Sequence, residues 1–404
     1  MSSFLQLAFL IAVMILTAKL GGYLSTRLGQ PSVLGELLVG VILGPSLINI
    51  THLGFITDNH LDQTIGELGE LGVMFLMFLA GLELEFKDLA RNLKVSALAG
   101  SLGVVLPVGL GLIVGLMLDM DFSRALFLGL TLGATSVSIS AQTLMELKVL
   151  RNRVGLGLLG AAVFDDILVI LLLSIFLALE GGSGGFGAIL LVIGKMILFL
   201  GLSAAFGLWA LPRISRLTSR LNISQGVVSL AIVILLFYGL AAEVVGGMAA
   251  ITGAFLAGLM FGRTPESHLI ENGLGSLAYS FFVPIFFISI GLEVNIRELG
   301  LSALWIAILI TLVAIFGKLL GAGLGAYLGK YSLRESLQLG IGMISRGEVG
   351  LIVANVGLNA GLLSAELFSD IVGMVLITTL VTPPLLRAAF RAPKPPPAVP
   401  QPEG

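Results

Sequence analysis

The chain contains no cysteine, which excludes disulfides and thiolate metal sites. Charge is scarce. Only 11% of the 404 residues are Asp, Glu, Lys or Arg, against about 25% in an ordinary soluble domain. A net charge of −2 with no basic patch excludes a surface that tracks nucleic-acid phosphates. The three histidines, His52, His60 and His268, fall outside the apolar runs and read as solvated loop residues rather than metal ligands. Two tryptophans and five tyrosines are few for the polar, aromatic-lined cavity that an organic solute would want. Residues 1–6 lack the basic start of a signal peptide, so the first apolar segment is expected to be a retained helix. What the chain does have is apolar length. Of its residues 57% are hydrophobic, gathered in runs long enough to cross a bilayer. That makes it an all-α polytopic membrane protein, with lipid as its first partner.

Thirteen transmembrane helices are predicted, at about 4–27, 32–48, 66–84, 92–118, 123–148, 153–179, 187–212, 224–243, 247–262, 275–292, 301–329, 333–360 and 367–390. The basic residues test this count. With the N-terminus outside and the C-terminus cytoplasmic, sixteen of the 22 fall in cytoplasmic loops and ends, and only Arg124 and Arg297 fall outside. Lys19, Lys195, Lys318 and Arg346 lie within spans. A miscount by one span would scramble that asymmetry. Lys19 is expected to snorkel to the cytoplasmic interface, Glu36, Glu67 and Glu70 to be interfacial, and Glu243 to be structural. The series Gly321, Gly325, Gly329 reads as close helix packing. Residues 181–185 read as a flexible outer loop, and the Pro-rich tail over 392–404 as disordered.

The sequence repeats itself. The segment 81–89 matches 291–299, and 35–44 matches 253–262, with shifts of 210 and 218. The matched segments lie seven spans apart, an odd number, so the two six-helix halves have opposite orientations, with span 7 left as a linker. Inverted repeats of this kind belong to secondary transporters, whose site lies near the midplane between discontinuous helices. Spans 5 and 12 are the candidate broken pair. The first gathers Thr135, Ser136, Ser138 and Ser140 at mid-depth, and the second Gly342, Ser345, Arg346 and Glu348. Hydroxyls and charges there can satisfy freed backbone groups, and Arg346 with Glu348 suits compensation of the half-helix dipoles. The alternative is an unbroken helix whose hydroxyls bond their own turns.

Asp165 and Asp166 stand in the middle of span 6. A carboxylate at the centre of a membrane helix costs about 2.5–3.5 kcal/mol, a cost met only where it finds water, a cation or a base. Consecutive helix residues point about 100° apart, so one aspartate can pair with Lys318 of span 11 while the other faces an aqueous path. The same divergence argues against an intramembrane aspartyl protease, which needs two facing aspartates. A proton and a cation can then compete for the second carboxylate.

These motifs together resemble the bacterial sodium/proton antiporters of the second monovalent cation:proton antiporter family. The resemblance is carried by 30–45, by Phe78-Leu-Ala-Gly-Leu-Glu83, by 134–138, by Asp165-Asp166, by Gly317-Lys-Leu-Leu-Gly321 and by 346–351, in that order along nearly the whole chain. It implies that Asp166 carries ion and proton in turn, with Na+ as the metal held there, that Asp165 pairs with Lys318, and that Thr135 and Ser136 lie close to the ion. It implies a homodimer in the bacterial inner membrane. A dimerisation domain would comprise 1–86 and 222–297, a mobile core 87–183 and 298–391, and a linker 184–221. Two aspartates plus the lysine imply electrogenic exchange by an elevator-like movement. No cofactor and no nucleotide-binding domain are expected.

Overall fold

In lipid every backbone N–H and C=O must be satisfied within its own segment, so long apolar runs become helices. The computed structural model describes residues 2–58, 60–180, 186–293 and 304–391. The loop 181–185, the tail 392–404, Arg297 and the end of the second repeat match, 294–299, lie outside the described residues, as does the side chain of Glu348.

The helices are α1 Ser3–Arg27, α2 Ser32–Leu43, α3 Leu61–Leu82, α4 Phe86–Arg91, α5 Leu93–Met117, α6 Phe122–Gly133, α7 Val137–Glu146, α8 Arg153–Glu180, α9 Phe186–Ala205, α10 Leu211–Ser219, α11 Gly226–Val244, α12 Ala250–Phe261, α13 Ser267–Leu277, α14 Val283–Leu292, α15 Leu304–Leu328, α16 Leu333–Gly342, α17 Glu348–Asn359 and α18 Ala365–Phe390. Five-residue π turns join α9 to α10 and α13 to α14. Among the described residues, ten segments are long and apolar enough to cross a membrane. The other three expected spans are the twelve-residue α2 and α12, each about 18 Å long at 1.5 Å per residue, and the interrupted pair α16–α17.

The two repeat matches pack on each other reciprocally. Gly291 of α14 meets Gly40 of α2, and Gly81 of α3 faces α12 where Gly258 faces α3. A Cβ on Gly291 would lie 2.3 Å from the Gly40 carbonyl carbon, and one on Gly258 would lie 1.9 Å from the Phe78 oxygen. Only glycine permits either approach, and the two contacts are mates under the sequence repeat.

Helices α1, α2, α3, α12 and α14 pack together, with α11 on α12. Helix α5 packs against α6, α8 and α15, and α15 against α16 and α18. The expected glycine stripe is the α15 face on α5: a Cβ on Gly321 would lie 2.4 Å from the Leu102 oxygen, and one on Gly325 2.3 Å from the Leu98 oxygen. That close contact fixes the height and rotation of Lys318. The two groups meet where α7 touches α2 and α3, and where α18 touches α2.

Candidate functional site

The backbone leaves the helix at 134–136, between α6 and α7, and at 343–347, between α16 and α17. Ala134 and Ser136 are extended. The two segments meet: Ser136 N donates to the Ser345 carbonyl at 2.9 Å, and Ser140 Oγ donates to the Gly342 carbonyl at 2.6 Å. Gly347 lies against Ser136, where a Cβ would come within 2.7 Å of its Oγ. Helix α6 does not run on into α7, so the unbroken-helix alternative is excluded.

A helix that stops at mid-depth leaves carbonyls without partners. Arg346, fully buried, meets those of both breaks. Its Nη2 donates to Leu132 O near the end of α6 at 2.8 Å and to Ala314 O of α15 at 3.1 Å. Its Nη1 donates to Met343 O at 3.2 Å and Ile344 O at 3.0 Å, past the end of α16. The Arg346 carbonyl accepts from Thr379 Oγ1 of α18. A planar fork with several donors suits this better than an ammonium would. Glu348 begins α17.

Asp165 and Lys318 are both fully buried and form an ion pair through Asp165 Oδ1. Asp166, one residue on, points elsewhere: its Oδ2 accepts from Thr252 Oγ1 of α12 at 3.0 Å. Asp166 also borders a cavity of about 10 Å³, walled by α3, α7, α8 and α12. Thr135 neighbours Asp165, yet Thr135 Oγ1 and Asp165 Oδ2 make no well-formed hydrogen bond; nor do the buried Ser345 Oγ and Arg346 Nε. Buried polar groups are almost always paired, and these atoms beside the crossing retain capacity to meet an ion, a proton or water. The oxygens on offer are carboxylate, hydroxyl and peptide carbonyl, a set that suits a weakly held monovalent cation. Among the described residues no three of His, Cys, Asp and Glu converge as a metal-holding group.

Two charges of the first helices meet neighbours that the sequence did not specify. Glu36, in the second turn of α2, is buried within the protein. Lys19 is exposed near the end of α1. Its Nζ donates at 2.8 Å to Tyr279 O, a carbonyl in the π turn before α14. Three contacts had no sequence signal. Thr252 reads as one more small polar residue in an apolar helix. Glu146, at the end of α7, receives Ser32 N at 2.7 Å and Ser32 Oγ at 2.6 Å, so it caps the N-terminus of α2. Arg151, between α7 and α8, pairs with Glu83 at the end of α3 at 3.9 Å.

A family profile described as sodium/hydrogen exchanger, transmembrane, matches residues 13–392. The chain is 40% identical over 384 residues to the Na(+)/H(+)-K(+) antiporter GerN of Bacillus cereus, covering 95% of this chain and 96% of that one. It is 43% identical to the probable Na(+)/H(+) antiporter GerT of the same organism, over 95% and 99%. A Na(+)/H(+) antiporter of Enterococcus hirae is 35% identical, over 94% and 96%. Among solved structures, the sodium proton antiporter MjNhaP1 of Methanocaldococcus jannaschii at pH 8 superposes with a TM-score of 0.66 over 96% of both chains; at 20% identity it speaks to the fold alone. A profile match over nearly the full length, with GerN- and GerT-like relatives of the same extent, makes this chain a member of the sodium/hydrogen exchanger family, a family of cation/proton antiporters and not of enzymes.

Proposed function

We propose that the chain exchanges cytoplasmic Na+ or Li+ for external H+ at Asp166. The observation that carries this reading is the division of labour between neighbouring aspartates. Asp165 is neutralised by Lys318, whereas Asp166 meets a hydroxyl and a small cavity beside the crossed segments. A carboxylate that binds a proton or a cation in turn, but not both at once, is the minimal device for exchange. Thr135 and Ser136, with the extended backbone around them, supply the further oxygens. Arg346 holds the half-helix carbonyls so that their negative ends do not trap the ion, and Glu348 adds charge at the opposite end of the break.

The assembly reading is supported by the packing of the helices into two groups. Helices α5–α8 and α15–α18, within 87–183 and 298–391, form the mobile core. Helices α1–α3 and α11–α14, within 1–86 and 222–297, form the scaffold, through which two copies dimerise; 184–221 links them. The two six-helix halves of the chain, on either side of that linker, are inverted repeats, and the chain crosses the bilayer in thirteen segments, with the N-terminus outside, the C-terminus cytoplasmic and the bacterial inner membrane as the setting. The core carries the loaded site across by an elevator-like movement. Release of the Asp165–Lys318 pair as the cation arrives makes the exchange electrogenic. A K+/H+ reading is favoured by the potassium in the name of the GerN relative.

Proteoliposomes with an imposed pH gradient separate these. Na+, Li+ or K+ is added in turn while a dye follows lumenal pH. Collapse with Na+ or Li+ is the expected result. Collapse with K+ alone moves the protein to potassium exchange, and no cation response refutes antiport.

A further inference from the structure

The carboxylate that carries the ion in this reading is held from the other side of the seam. Asp166 belongs to α8, which packs on α5, whereas Thr252 belongs to α12, which packs on α3. Both residues are buried, and the Thr252 hydroxyl donates to Asp166 Oδ2 at 3.0 Å. Around this bond lie Met77, Val137, Ala162, Ile251 and Phe255, all apolar, enclosing about 10 Å³, the space of about one water. A hydroxyl bonded to an ionised carboxylate is roughly twice as strong an interaction as a neutral pair. It weakens when a proton or a cation takes up the carboxylate's charge.

We propose that Thr252 is a latch on the empty site: it ties α8 to α12 while Asp166 is ionised, and releases when a proton or cation neutralises that carboxylate. Loading is thereby coupled to movement, and return of the empty site, which would let protons through without a counter-ion, is suppressed. The inference rests on the antiport reading above and adds a scaffold residue to it.

The test uses the full chain in proteoliposomes, with wild type and Asp166→Asn as references. One readout is the Na+ concentration for half-maximal exchange. The other is decay of an imposed pH gradient with no Na+, Li+ or K+ present. Thr252→Val is expected to lower the half-maximal concentration and to speed the cation-free decay, each about tenfold, the equivalent of one charge-assisted hydrogen bond. Adding Asp166→Asn should abolish the extra decay, and Thr252→Ser, which keeps the hydroxyl, should return both readouts toward wild type. Thr252→Ala serves the same purpose if the valine variant does not fold. A raised half-maximal concentration without leak would make the hydroxyl a cation ligand and overturn the latch. Unchanged readouts, or changes that serine does not rescue, would leave Thr252 a packing residue and overturn it as well. If wild type itself shows no cation-dependent exchange, the antiport reading fails before any variant is compared.

Discussion

Replacing Lys318 by methionine isolates what holds the core of the site together. Neither side chain of the Asp165–Lys318 pair reaches solvent, with exposures of 0% for Lys318 and 1% for Asp165. Removing one partner of such a pair costs about 3–5 kcal/mol, because the other charge stays buried without compensation. Arg346, the other buried cation near Asp165, is committed to four carbonyls and cannot take over. Lys318→Met should therefore destabilise by about 3–5 kcal/mol, a large share of the 5–15 kcal/mol typical of a folded chain. Adding Asp165→Asn removes the stranded charge, and the double variant should recover most of that loss. A double-mutant cycle read from unfolding of purified protein in detergent measures the coupling. The reasoning fails if Lys318→Met unfolds like wild type, or if the double variant is less stable than Lys318→Met alone.

Three further outcomes follow from contacts at the breaks and the seam. Arg346→Lys keeps the charge but loses the fork that reaches Leu132, Ala314, Met343 and Ile344, so about 1–3 kcal/mol should be lost, with faster hydrogen exchange over 134–136 and 343–347; unchanged exchange there would contradict the role. Glu146→Gln replaces a carboxylate cap on α2 by a neutral one and should cost about 1 kcal/mol in thermal unfolding, and an unchanged melting temperature would argue against it. Tyr331, between α15 and α16, donates to the Arg153 carbonyl, and burial pushes its hydroxyl up to about 12. Its folded value lies above the unfolded value of about 10, so its contribution is full below pH 10 and is lost as pH rises toward 12. Tyr331→Phe should cost about 1 kcal/mol near neutrality, with the gap to wild type closing in that alkaline window; a gap independent of pH would refute the assignment.

The features legible in the sequence are those where an expensive residue stands in an apolar run. Asp165, Asp166, Lys318 and Arg346 announce themselves because lipid penalises them, and two buried opposite charges have few options besides each other. The breaks were legible as clusters of weak helix formers, though the sequence left an unbroken helix open until the Ser136–Ser345 and Ser140–Gly342 bonds decided it. Distance from a helix end was a poor guide to the burial of Glu36, which depends on the helices packed around α2, α1 and α14 among them. Thr252 and Glu146 were illegible for another reason. Their partners lie 86 and 114 residues away across a seam between helix groups, and the placement of α12 that brings Thr252 to it depends on glycine contacts such as Gly81 against Phe255. Which carbonyls Arg346 reaches is likewise a matter of three helices meeting.

The central claim is that Asp166 carries both the cation and the proton. Uptake of radioactive Na+ into proteoliposomes, driven by an outward proton gradient, tests it most directly in wild type and Asp166→Asn, each first checked for monodispersity and unfolding temperature. The account predicts gradient-driven uptake by wild type and none by the folded variant. Comparable uptake by Asp166→Asn would contradict it, whatever the rest of the fold does.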